Sequence, residues 1–66
     1  MKISLNGEWC EARVASTVAE LVEEFELPGP TLLIEHNGTA LHRSEWPATP
    51  LADGDRLELL RVTAGG

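Results

Sequence analysis

From Lys2 to Leu5 polar and apolar residues alternate, Asn6-Gly7 follows, and Glu8 to Ala12 resumes an extended pattern. Strict alternation suits a half-buried strand, and Asn-Gly best tolerates the positive φ angles of a two-residue hairpin turn. A β-hairpin is predicted at the N-terminus. At Thr17 the period changes: Val18, Leu21, Val22 and Phe25 recur at helical spacing, while Glu20, Glu23, Glu24 and Glu26 take the other face. Thr17 with Glu20 three residues on has the spacing of a capping box, in which each side chain satisfies a backbone N–H left unpaired by the first turn. Leu27-Pro28-Gly29-Pro30 stops the helix, because proline disfavours helical geometry in the residue before it and donates no hydrogen bond. The spacing predicts a helix over 18–26, with its glutamates forming a solvated face or steering the chain toward a basic partner.

Thr31 to Glu35 is β-branched and apolar, Asn37-Gly38 repeats the hairpin turn, and Thr39 to Leu41 offers a short return strand. The prolines, Ser44 and Trp46 between Arg43 and Pro50 indicate a short irregular or 3₁₀ segment. Ala52-Asp53-Gly54-Asp55 reads as a turn, and Arg56 to Val62 as a final strand. Strands flanking a lone helix pack economically as an α+β domain, a mixed sheet of four or five strands with its apolar face on the helix. Ile3, Leu5, Val18, Leu21, Val22, Phe25, Ile34, Leu57 and Leu59 form the expected core. If Leu57 and Leu59 face the helix, alternation puts Glu58, Leu60 and Val62 on the uncovered face. Leu60 and Val62 then form an exposed docking patch, or they are ordinary exposed surface residues, or a bulge slips the register.

At 66 residues the chain is one small domain, too small for a large buried active site. Eleven acidic residues against five basic give a net charge of −6, which repels nucleic-acid backbones and anionic membranes and favours protein partners with basic surfaces. The lone Cys10 forms no internal disulfide, the first residues lack the order of a signal peptide, and the expected location is cytoplasmic. The apolar runs fall far short of the roughly 20 residues that cross a bilayer.

After Val62 come only the small residues Thr63-Ala64-Gly65-Gly66. The expected organisation is a domain over 1–62 and a flexible tail over 63–66. A Gly-Gly terminus arises by chance in about one chain in 200, so it is suggestive alone and informative with other features. Without side chains, two glycines can thread a narrow enzyme channel and adopt backbone angles closed to other residues. A carboxylate delivered this way becomes reactive when joined to AMP, since the acyl-adenylate has a leaving group that sulfur or nitrogen displaces. The chain has no phosphate-cradling G-x-x-x-x-G-K-[ST] motif, so a partner must supply the ATP site. No bound cofactor and no catalytic residue are expected.

The ββαββ order, Asn37-Gly38, Arg43-Ser44-Glu45-Trp46, Leu51-x-Asp53-Gly54-Asp55-Arg56-Leu57-Glu58 and Gly65-Gly66 together resemble the ThiS-type sulfur carriers of thiamine biosynthesis. These are ubiquitin-like β-grasp proteins, and the resemblance covers essentially the whole chain. It implies a carrier, not an enzyme: a ThiF-type adenylating enzyme activates the Gly66 carboxylate with ATP, and sulfur from a cysteine desulfurase converts it to a thiocarboxylate. A thiazole synthase of the ThiG type then takes that sulfur. By the same resemblance Gly66 bears the sulfur and Gly65 gives flexible access. Leu60 and Val62 are docking residues by alternation, and Arg61 beside them either snorkels at the sheet end or pairs with an acidic partner. Alternative readings are a carrier for molybdopterin or tRNA thiolation, and a ubiquitin-like protein modifier.

Cys10 on a strand reads as a small apolar filler, leaving the sulfur to Gly66. Cys10, His36 and His42 match no common zinc spacing, so the histidines read as surface or turn residues. Trp46 and Trp9 read as rings covering an edge of the core, with a partner contact as the alternative.

Overall fold

The computed structural model describes residues 1–61. The predicted residues Val62, Gly65 and Gly66, and the domain–tail boundary, lie outside them.

Two Asn-Gly turns frame the sheet. Asn6 and Gly7 have φ of 50° and 85°, and Asn37 and Gly38 have 49° and 87°, the consecutive positive values a tight right-twisted hairpin demands. The first joins β1 (Lys2–Leu5) to β2 (Glu8–Glu11), and the second joins β3 (Leu32–His36) to β4 (Thr39–Leu41). The last strand, β5 (Arg56–Arg61), runs parallel to β1 and antiparallel to β3. The five strands order as β2-β1-β5-β3-β4, so β5 occupies the centre. This is the mixed sheet of a ubiquitin-like β-grasp, with a single α-helix, α1 (Val18–Glu24), among the described residues. No described helix is long and apolar enough to cross a membrane.

The helix is shorter than its periodicity predicts. It stops at Glu24 because Glu26 takes φ 52°, the Glu26 N–H donates to Glu23 O and the Leu27 N–H to Val22 O. That pair of bonds is a left-handed terminal cap, built here on glutamate where glycine is usual. At the other end, only half of the predicted capping box forms. Thr17 Oγ1 accepts from the Glu20 N–H at 3.2 Å, but the Glu20 carboxylate accepts from the N–H and hydroxyl of Ser16, both at 2.7 Å. Glu24 is likewise more than a solvated residue, for its carboxylate accepts the N–H groups of Arg13, Val14 and Ala15 at 2.8–3.0 Å and so holds the loop entering α1. Hydrogen bonds from Ser16 hold Glu20 below its ordinary pKa, and the backbone donors of Arg13, Ala15 and Val14 do the same for Glu24.

Ile3, Val18, Leu21, Val22, Ile34 and Leu57 are buried as predicted, while Leu5, Phe25 and Leu59 pack against them half-buried. Ala12, Ala15, Leu32, Trp46 and Leu51 complete the core. Trp46 comes from a 3₁₀ segment over Arg43–Ala48 that packs against α1. Its ring lies 5.8 Å from the Arg43 guanidinium carbon, and its Nε1–H is buried with no hydrogen-bond partner. Trp46 is thus a core residue. Trp9 is not: it stands 60% exposed on the uncovered face of the sheet.

Candidate functional site

The strand that leads toward the C-terminus is tied down by side chains from both hairpin turns. β1 ends at Leu5, opposite Leu57, so beyond that point β5 has no strand beside it on that side. Asn6 fills the gap, with its Oδ1 accepting the Leu59 N–H at 2.7 Å. On the other side Asn37 Oδ1 accepts the Arg56 N–H at 2.8 Å. Each asparagine therefore makes a turn and also anchors β5.

The Asp53-Gly54-Asp55 turn fixes the start of the same strand. Asp53 Oδ1 accepts the Lys2 N–H at 2.7 Å, Gly54 N–H donates to Lys2 O at 2.7 Å, and Asp55 O accepts the Ser4 N–H at 2.9 Å. The half-buried Asp55 carboxylate gathers His36 Nε2 at 2.7 Å, the Ala52 N–H at 2.9 Å and Asn37 Nδ2 at 3.1 Å. Burial alone would raise its pKa, but the bonds from His36, Ala52 and Asn37 outweigh this and hold it low. The turn is a clasp joining β1, β3 and β5. His36 belongs to that clasp, and no group of three or more metal-ligating side chains occurs among the described residues.

Alternation along β5 holds without a bulge. Leu57 is buried and Leu59 half-buried against the helix side, while Leu60 is 57% exposed on the opposite face. Directly across from Leu60 stands Leu33 of β3, itself 52% exposed. The sequence offered no sign of this partner, since Leu32, Leu33 and Ile34 are all apolar and only the register decides which faces out. One register step away Glu35 opposes Glu58 on the same face. Arg61 is exposed and makes no ion pair among the described residues. Cys10 lies half-buried on the helix side, paired with Ile3, its Sγ 3.5 Å from Glu8 O.

A model of the ThiS family matches residues 3–66, which takes in both the clasp and the Gly65-Gly66 end. The chain belongs to the ThiS family. As a ThiS-family chain it superposes on a crystal structure of a thiamine biosynthesis protein (ThiS) from Geobacter metallireducens with a TM-score of 0.85 and 30% identity, covering 100% of both chains. A solution NMR structure of a thiamine biosynthesis protein from Geobacter metallireducens gives a TM-score of 0.77 at 30% identity, over 100% of this chain and 88% of that one. No curated protein sequence matches significantly.

Proposed function

We propose that this ThiS-family chain is a sulfur carrier for the thiazole of thiamine, a co-substrate of partner enzymes with no catalysis of its own. The Gly66 carboxylate is adenylated by a ThiF-type enzyme using ATP, which gives AMP as leaving group. Persulfide sulfur supplied by a cysteine desulfurase displaces AMP to give an acyl disulfide, a reducing thiol cleaves its S–S bond to leave the thiocarboxylate, and a ThiG-type thiazole synthase consumes that thiocarboxylate. Gly65 provides the side-chain-free approach. The observation that carries this reading is the family match running through Gly65 and Gly66. The anchoring of β5 supports it, because the strand that precedes those residues is held by a side chain at each of its edges. Leu60, Arg61 and Val62 are the proposed docking residues, with Leu33 added by its place opposite Leu60.

The test is reconstitution with ATP, a ThiF-type enzyme, a desulfurase, cysteine and a reducing thiol, followed by intact mass. The expected product carries one oxygen-to-sulfur exchange at the C-terminus. Deleting Gly66 should abolish the exchange with the fold intact, and Cys10→Ser should preserve it. An unchanged mass for the wild-type chain would sink the proposal, and loss of loading in Cys10→Ser would move the sulfur to the thiol. Leu60→Glu should weaken binding to the adenylating enzyme without unfolding the domain.

A further inference from the structure

The sheet face turned away from α1 has no helix over it, and two of its charges are left unsatisfied by its own register. Glu35 and Glu58 are directly opposed on β3 and β5, beside the Leu33–Leu60 pair. Like charges in that arrangement repel at a Cβ separation of about 5 Å and destabilise the strand pair. Among the described residues neither carboxylate has a cation within ion-pair distance. Glu35's other cross-strand neighbour is Ala40, and Glu58 has no strand on its far side because β1 has ended at Leu5. Arg56 shares a shallow hollow with Glu35, Gly38 and Glu58, yet the ion pairs among the described residues are only Met1 with Glu11 and His36 with Asp55. A local rule broken without an internal gain marks a place where the gain comes from elsewhere.

We propose that the outer sheet face docks a basic protein surface, with the Glu35–Glu58 pair receiving an arginine side chain of the partner while Leu33 and Leu60 receive an apolar one. Arginine suits the site, since its planar fork presents donors to two neighbouring carboxylates at once, whereas lysine offers a single point charge. The partner's cation removes the repulsion that the free chain tolerates. The net charge of −6 adds long-range steering, but only the opposed pair localises recognition beside the strand that leads to the C-terminus. The inference rests on the docking face of the proposed sulfur carrier and adds the charge that its partner must carry.

The test measures the dissociation constant for the ThiF-type adenylating enzyme at low and moderate salt with the full chain. The double variant Glu35→Gln, Glu58→Gln should bind at least about tenfold more weakly, with a flatter salt dependence. Its urea midpoint should rise, because the repulsion is gone. A control, Glu23→Gln with Glu26→Gln on the exposed helix side, removes the same formal charge and should change affinity less than about threefold. Wild-type affinity in the first variant, or an equal loss in the control, overturns the inference. If Leu60→Glu abolishes binding while the glutamine pair does not, the docking face stands and its charge recognition falls. If the wild-type chain forms no complex, both fall.

Discussion

Replacing Asp55 by alanine should remove the clasp that holds the start of β5, and its cost can be worked from the three bonds the carboxylate accepts. His36 Nε2, the Ala52 N–H and Asn37 Nδ2 lie 2.7, 2.9 and 3.1 Å from it. A hydrogen bond to a charged group contributes about 1.5–3 kcal/mol, but bonds in one network do not add fully. The longest, from the exposed Asn37, is readily replaced by water. Two effective bonds at the lower value give a loss of about 3 kcal/mol for Asp55→Ala. A domain of 66 residues has a total stability of about 3–10 kcal/mol, so the variant should be severely weakened. With a urea slope of about 1 kcal/mol/M, the midpoint should fall by about 3 M. Asp55→Asn keeps one carbonyl acceptor and should lose roughly half as much. Urea unfolding followed by the fluorescence of the buried Trp46 measures both variants in the cold, where enough protein stays folded. A midpoint for Asp55→Ala within about 0.5 M of wild type would refute the clasp. If such a stable variant also lost partner binding, the Asp-Gly-Asp turn would be a contact surface instead.

Leu57 is 1% exposed at the centre of the core, so Leu57→Ala should cost about 2–5 kcal/mol in the same urea assay, and a loss below about 1 kcal/mol would remove it from the core. Trp46→Ala should cost about 3–5 kcal/mol, whereas Trp46→Phe should cost about 1–2 kcal/mol from the smaller cavity, since the lost Nε1–H had no partner; a loss in the phenylalanine variant as large as in the alanine one would mean that this donor is bonded. Glu26→Gly should stabilise the domain by about 0.5–1 kcal/mol, since φ 52° suits glycine, and a lower urea midpoint would contradict the left-handed cap. The depressed pKa values of Asp55, Glu20 and Glu24 set an acid limb: a group lowered on folding contributes fully above its unfolded pKa, and that contribution is lost as pH falls through its folded one. Stability should therefore decline as pH drops below the ordinary values of 4.5 for glutamate and 3.8 for aspartate, with a shallower decline in Glu24→Gln; an unchanged limb in that variant would show that its three backbone donors do not hold the charge.

Features legible in the sequence and features hidden from it divide by the range over which the information acts. Both hairpins were legible because Asn-Gly encodes its own backbone angles, and the helix because its apolar stripe is periodic. The end of the helix was hidden, since the residue that takes the left-handed cap is Glu26, not the glycine or asparagine that announces such a cap. Glu24 looked solvated because its three acceptor bonds reach back over 9–11 residues to a loop without periodicity. Asn6 and Asn37 announced turns, but their side chains bond to β5 at separations of 53 and 19 residues, where no local pattern operates. The Asp-Gly-Asp segment helped to identify the family, and the structure gives a physical reason for its composition, since each aspartate accepts bonds that link separate strands. The outer sheet face was half legible. Alternation put Leu60 outside, whereas Leu33 and the opposed glutamates emerge only from the β3–β5 register. The chemistry of the two final glycines was never written in spacing or periodicity. The proposed role entered through the family resemblance, and what the structure adds is that β5, the strand before those glycines, is held by Asn6, Asn37 and the Asp-Gly-Asp turn.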